Sequence, residues 1–528
     1  MKNPLAAHTE TDLFLTVCGL FVFAAAALWV VCFVPMNMDE AGLYHVLDCL
    51  AYPFAPLHTF RESCLQQNNL MTPLGLSIRE PGFYTGIWPS ILYAPFFFLF
   101  HAPGAQYAFG LIFLLTFAGL ASRATAKPLL SFAVILSFFP FVYHFVHDTG
   151  PVKYAMLLFP LSGFFLKRIL QTSGPVRYGY AVIGPLLLVC AVEEKPFFLY
   201  LLPSIVFFAL ALAGNEKNPG ALHTALKKAR GPLLVAAGVA IIGILLLLFS
   251  VNVHGSRYIW WLINLSDSKK LPPGDWLNAF SDFMLYWPFY AHYTYALADD
   301  YAGAVTLKLV TFGFFIASGA IAARAMARGF YPKQRLMLLG LSFASMAVIF
   351  LIVRNTWAGH HFVFLWAPLV FLLADLIALL TPGLAMGVAA GFFALNLWSV
   401  LALTQETPQA RNSPERTAIL HFFDEARASK AIINVSSWGD YYIQALYGPE
   451  NQLVTYTEPY IQTPLPLTPA DAQSLLLLAQ KTGRTIYNVC YGPSCTKEAL
   501  ESVFGGTIKF EDALPGLPNW RVFVAAPR

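Results

Sequence analysis

Residues 13–43 read LFLTVCGLFVFAAAALWVVCFVPMNMDEAGL. A run of about twenty uncharged residues, Leu13 to Pro35, delivers two adjacent carboxylates, Asp39 and Glu40, to its far end. A run of that length crosses about 30 Å of hydrocarbon as one helix. The same pattern recurs along the chain, with further apolar segments at roughly 88–103, 105–121, 128–146, 154–170, 180–192, 197–213, 232–253, 303–323, 336–353, 361–380 and 384–403. The 528 residues are 57% hydrophobic and 12% charged, whereas soluble domains are about a quarter charged. The apolar runs are long and continuous, which favours helices over the alternating strands of a barrel. The expected fold is a polytopic α-helical membrane protein with about 11–12 transmembrane helices. Polar residues up to Asp12 precede an apolar run too long for a signal-peptide core, and no small-residue cleavage site follows it, so the first helix is expected to stay.

In such a chain the net charge of +4 matters less than where the charges lie. Loops rich in Lys and Arg are expected on the cytoplasmic side: Lys167–Arg168 with Arg177, Lys217 to Arg230, and Arg324 to Arg335. Residues 147–153, 193–196, 254–302, 354–360 and everything after 404 then fall on the opposite, extracytoplasmic side of an inner (cytoplasmic) membrane. One stretch does not close. With 36–87 also external, 88–121 must cross an odd number of times before Arg123 and Lys127 become cytoplasmic, yet two short segments lie there. There is no basic stripe or motif for nucleic acid, and no internal repeat.

The chain reads as two domains. Residues 1–403 form the membrane part, with a long external first loop at 36–87. At 404 the polar, Pro-containing TQETPQARNSPER marks a boundary. After it, β-rich runs (AIINVSSW, QLVTYT, TIYNVCY, WRVFVAAP) alternate with the helical patterns SPERTAILHFFDEARAS and ADAQSLLLLAQKT, the signature of a small soluble α/β domain over 404–528. Cys18, Cys32 and Cys190 lie in apolar segments as small hydrophobes. Cys49 with Cys64, and Cys490 with Cys495, form local pairs that are either disulfides or free thiols.

Charge at a membrane boundary costs free energy unless it has a partner or a task. Asp39 and Glu40 follow the first helix, Asp148 stands in VHDTGPVK, Glu193, Glu194 and Lys195 in AVEEKPFF, and Arg354, His360 and His361 in RNTWAGHHF. All fall on one side by the charge rule. Together they can activate a nucleophile and neutralise a phosphate. Arg79, in SIREPGFY, adds a fork of donors suited to phosphate. Each has a plainer role open to it. Asp39 and Glu40 can cap an interfacial helix, Asp148 can be an N-cap, Glu193 and Glu194 can balance Lys195 in a solvated turn, and Arg79 can pair with Glu80. His360 and His361 lack a local third ligand, so no metal site is expected of them.

Four stretches carry a resemblance: MNMDEAGLY, FVHDTGPVKYAMLLFPL, EEKPFFLYLLPSIVFFAL and GHHFVFLWAPLVFLLA. They resemble the GT-C superfamily of polytopic glycosyltransferases, most closely the branch holding protein O-mannosyltransferases and the lipid A aminoarabinose transferase. Lys195 departs from that pattern, being followed by Pro196 where the family usually has Gly and preceded by Glu193–Glu194. The resemblance implies an enzyme that takes a sugar from a polyprenyl-phosphate donor and transfers it to an envelope lipid, polysaccharide or protein acceptor. It implies Asp39 as the base, with Glu40 and Asp148 as further acids and Lys195, Arg79 or Arg354 on the phosphate. A divalent metal is compatible with the acids but is not implied, since they can serve as base and phosphate-orienter without one. A transporter or flippase of lipid-linked saccharides is the competing reading. It predicts ionisable residues near helix centres and broken paired helices.

Overall fold

The computed structural model describes residues 10–33, 95–96, 99–100, 104–147, 152–194, 198–214, 219–251, 272–285, 304–329, 333–353 and 363–411. Toward the C-terminus it describes 421, 424–426, 428–435, 454–456, 476–477, 479–491, 498, 501–502, 508–512 and 520–527. The chain divides into two units, Met1–Val34 with Gln106–Gln405, and Pro35–Ala105 with Glu406–Arg528.

The first unit is helical. Its elements are α1 (Glu10–Phe33), α2 (Gly104–Ser122), α3 (Pro128–Leu136), α4 (Phe139–Val142), a π-helical turn (Tyr143–His147), α5 (Val152–Gln171), α6 (Pro175–Glu194), α7 (Phe198–Ala213), α8 (Pro219–Lys228), α9 (Arg230–Val251), α10 (Pro273–Leu285), α11 (Ala304–Ala327), α12 (Lys333–Val353), a 3₁₀ turn (Val363–Leu365), α13 (Trp366–Leu379) and α14 (Pro382–Arg411). Prolines open α3, α6, α8, α10 and α14, where the missing N–H costs no intrahelical bond. The turn between α5 and α6 is short because Gly174 sits at φ +71°, a conformation open to it without a Cβ.

By length and composition α1, α6, α11, α12 and α14 can each cross a membrane, and two bent pairs raise the number from 5 to 7. The chain is a multi-pass membrane protein. The helices α2, α7 and α13 are apolar but shorter. Many outward side chains are large and apolar, such as Phe14, Phe21, Leu28, Ile242 and Phe312. In a bilayer these face lipid at no hydrophobic cost.

Three expectations need correction. The segment expected at 128–146 is two helices bent by 71°. The break lies at Ser137–Phe138, where Pro140 removes a backbone donor. The two short helices α8 and α10 lie in stretches read as loop. The last apolar segment does not stop at 403; α14 runs on to Arg411.

The core is aromatic. Phe138 meets Phe141 edge-on at 4.9 Å, Trp366 at 5.3 Å and Phe392 stacked at 5.9 Å, joining α4, α13 and α14. Asn396 of α14 accepts the Phe139 N–H at 2.7 Å, so the break between α3 and α4 is satisfied from a neighbouring helix. Gly110 of α2 passes so close to the π-helical turn that a Cβ there would lie 2.0 Å from the Phe145 carbonyl oxygen. Gly110→Ala is therefore expected to destabilise by at least about 1–3 kcal/mol. Gly119→Ala on the same helix meets nothing within 4 Å and is expected to be neutral or mildly stabilising. Thermal unfolding of the two variants in one detergent checks the contrast.

The second unit holds a five-stranded sheet in the order β2-β1-β3-β5-β4, with β1 (Ile432–Val435), β2 (Val454–Tyr456), β3 (Ile486–Tyr491), β4 (Ile508–Asp512) and β5 (Trp520–Pro527). β1 pairs parallel with β2 and β3; β5 is antiparallel to both β3 and β4. Four strands fall on the four β-rich runs, and the described residues of both helical patterns are helical apart from Ser429, which lies in a turn. The strand β4 (IKFED) was not anticipated.

Candidate functional site

The described helices run between two ends of the first unit, and named contacts fix their directions. Asp12 at the start of α1 bonds Lys127 just before α3 at 2.8 Å, and Trp29 near the end of α1 meets Phe139 of α4 at 6.2 Å. α1 and the α3–α4 pair therefore run the same way. α13 runs against α3: the Ser131 hydroxyl donates to the Ala374 carbonyl, while Phe138 meets Trp366. α5 and α7 are parallel, since Phe159 meets Phe208 at 5.4 Å and Gly163 abuts Leu212. Phe208 reaches Phe371 of α13 at 5.6 Å, tying that pair to the rest. Ser342 of α12 donates to the Ser204 carbonyl of α7 at 2.9 Å.

One end gathers the start of α1, the 123–127 turn, the end of α5, the starts of α6, α9 and α12, and the end of α13. It is cationic, carrying Arg123, Lys127, Lys167, Arg168, Arg177, Lys227, Lys228, Arg230, Arg324, Arg328, Lys333 and Arg335. Among the described residues of 88–122, only α2 runs from one end to the other, so Arg123 and Lys127 join the remaining cationic loops. Two ion pairs lock this end, one half-buried and one buried. Lys127 and Asp12 form one. In the other, Arg335 donates to both carboxylate oxygens of Asp375, at 3.1 and 3.3 Å, and also to the Ala124 carbonyl. Its guanidinium lies 5.1 Å from the centre of the Phe371 ring.

The other end gathers Phe33 at the close of α1, the π-helical turn, the first turn of α5, the last turn of α6, the start of α7, the end of α12 and the 3₁₀ turn. The segments that carry the sequence-predicted residues depart from these places. Asp39 and Glu40 come shortly after Phe33, Asp148 directly after His147, Lys195 directly after Glu194, Arg354 directly after Val353, and His360 and His361 just before Val363. Asp39, Glu40, Asp148, Lys195, Arg79, Arg354, His360 and His361 themselves lie outside the described residues, as do the side chains of Glu193 and Glu194. The structure brings together the helix ends and leaves the mutual geometry of those side chains undescribed. Cys49, Cys64, Cys495 and the Cys490 side chain also lie outside the described residues; Cys18 and Cys32 are free thiols.

Two polar side chains at this end were missed in the sequence. Lys153, in the first turn of α5, is fully buried, and His144 in the π-helical turn is 1% exposed. A π-helical turn is rare and is frequently found at functional sites. Lys153 stands one residue before the apolar segment expected at 154, so it reads as loop. The available signal was its place in the first turn after Pro151, where a helix start would carry it into the packed bundle. A buried ammonium needs anionic or hydrogen-bonding company. Among the described residues no group of three or more His, Cys, Asp or Glu could hold a metal ion. No protein-family model matches the chain, and no curated protein matches it significantly.

Proposed function

We propose that the chain is a membrane glycosyltransferase that moves a sugar from a polyprenyl-phosphate donor to an envelope lipid, polysaccharide or protein acceptor. The observation that carries the reading is directional. The segments bearing Asp39, Asp148, Lys195, Arg354 and the His pair leave the bundle at one end, and the cationic loops lie at the other. The charge rule makes the cationic end cytoplasmic, so the acidic segments face outward, where the donor phosphate meets the acceptor.

Single crossings by α1, α2, the bent α3–α4 pair, α5, α6, α7, α9, α11, α12, α13 and α14 fit this arrangement. Their odd number is compatible with a C-terminal, sheet-bearing region on the extracytoplasmic side. This reading counts the short α2, α7 and α13 as spans beside the 5 to 7 helices that are long and apolar enough to cross.

In the reaction Asp39 removes the acceptor hydroxyl proton as that oxygen attacks the anomeric carbon from the face opposite the leaving lipid phosphate. The bond to phosphate breaks as the new glycosidic bond forms, and Lys195, Arg354 or Arg79 takes up the charge on the departing phosphate. Glu40 and Asp148 orient the acceptor. Lys153, enclosed at the same end, adds a cation for the phosphate. Lys153→Met is expected to weaken binding of polyprenyl phosphate about tenfold or more, the scale of a lost charged hydrogen bond, with a smaller loss in Lys153→Arg. Equilibrium binding of the labelled lipid phosphate to monodisperse protein reads this.

A transporter of lipid-linked saccharides is favoured less, because among the described residues the buried Asp12, Lys153 and Arg335 sit in first turns, the buried His144 lies in the π-helical turn at the opposite end, and Asp375 pairs with Arg335 at the cationic end. The deciding experiment offers radiolabelled polyprenyl-phosphate sugars to the protein in nanodiscs, with envelope lipids and polysaccharide as acceptors. Label passing into an acceptor supports the enzyme. Label that only changes leaflet in proteoliposomes, with no new glycosidic bond, supports the transporter.

A further inference from the structure

At the cationic end, three chain segments meet on one side of the bundle. α5 closes with Lys167 and Arg168, both exposed. α6 opens with Arg177, whose guanidinium donates to the Ile169 carbonyl of α5 and, at 3.4 Å, to the Lys228 carbonyl of α8. α8 ends in Lys227 and Lys228, both exposed, and then the chain turns through 73° at Ala229 into α9, whose first residue is the exposed Arg230. Beneath the turn Ile169, Ala181 and Ala229 form a small buried cluster with Leu170, Tyr180, Leu233 and Ala236 around it. Arg177 bridges both flanking segments, and the apolar cluster holds them together, so the five exposed cations are set on a fixed platform.

Two features say what that platform meets. First, no Asp or Glu occurs in α5, α8 or α9, and α6 has none before Glu193 at its far end. The patch therefore has no internal counter-charge from the helices that build it. Second, the adjoining outer faces of α6 and α9 are apolar and open: Val176 is 60% exposed, Tyr178 47% and Leu234 63%. In a multi-pass membrane protein that surface is in contact with acyl chains, so the cations stand at headgroup level beside it. A free phosphate would use the cations alone; a phospholipid uses the cations and the apolar face together.

We infer that Lys167, Arg168, Lys227, Lys228 and Arg230 form a headgroup site for anionic phospholipid, the phosphodiester lying against the cations and the chains along α6 and α9. The site is separate from the proposed sugar-transfer end and rests only on the chain spanning a membrane. Juxtamembrane Lys and Arg attract anionic lipid additively, so neutralising three of five is expected to lower retention at least about tenfold.

The test uses the full-length chain, purified in detergent and analysed by native mass spectrometry after exposure to equal amounts of cardiolipin and phosphatidylethanolamine. The expected result is preferential retention of cardiolipin by the wild type, its loss in K227Q/K228Q/R230Q, and its recovery in K227R/K228R. K481Q, an exposed charge in the second unit, serves as the neutral control. The double variant K227Q/K228Q gives the same reading if the triple variant is not monodisperse. Equal cardiolipin retention by wild type and variants would overturn the proposal, as would displacement of the lipid by millimolar inorganic phosphate, which would mark a site for free phosphate.

Discussion

Asp39→Asn is expected to lower sugar transfer by about 10²–10⁴-fold, the contribution of a general base, while leaving donor binding intact. The substitution keeps the size and removes the charge. An acceptor hydroxyl is a weak nucleophile at neutral pH and gains most from a carboxylate that takes its proton in the transition state. The loss should therefore fall on kcat and leave KM nearly unchanged, because the interaction strengthens only as the bond forms. The carboxylate follows a helix that is well anchored. α1 is held at its start by the Asp12–Lys127 pair and along its length by Trp29, Val30 and Ala26, all buried against the bundle. Steady-state transfer by monodisperse protein separates the two roles open to this residue. A variant that transfers within about threefold of wild type would make the acidic pair a helix cap, whose loss costs stability rather than rate.

The second large effect concerns the fold. Asp375→Leu is expected to destabilise the protein by about 3–5 kcal/mol, because it strands the Arg335 guanidinium in a site 4% exposed. Arginine cannot shed its charge there, and its bond to the Ala124 carbonyl satisfies only part of its donor fork. Arg335→Met should cost less, since a carboxyl group, unlike a guanidinium, has a neutral form. The double variant R335M/D375L should recover most of the loss, as apolar replacements of buried ion pairs often do. Unfolding in mixed micelles, followed by circular dichroism, gives the three values. A double variant no better than D375L would show that the pair is coupled to further groups at this end.

Helix positions were legible because each crossing is an apolar run bounded by charge or proline. The runs expected at 154–170, 197–213 and 336–353 meet helices ending within three residues of those limits. α8 was not legible, because PGALHTALKK carries its charges inside the helix and reads as a basic loop. β4 was hidden for a related reason. In IKFED the apolar Ile508 and Phe510 alternate with Lys509, Glu511 and Asp512, and a search for apolar runs passes over a charged strand at the sheet edge. The bend between α3 and α4 depends on Asn396, more than 250 residues away in the chain, capping the broken backbone, and no local pattern reveals that. Of the candidate site, the sequence shows which segments hold acids and cations, since an ionised group beside hydrocarbon stands out. Lys153 was overlooked because burial is a property of the packed bundle, and its position at the edge of an apolar run looks the same whether it faces water or the interior.

The most direct test of the account is the side of the membrane on which transfer occurs. Proteoliposomes with the protein in one known orientation would be loaded with labelled polyprenyl-phosphate sugar, and a water-soluble acceptor added to one face at a time. Glycosylated acceptor is expected only when it is supplied to the face opposite the cationic end, the face from which the Asp39, Asp148 and Lys195 segments emerge. Product formed only from the cationic face, or from neither face, would contradict the account.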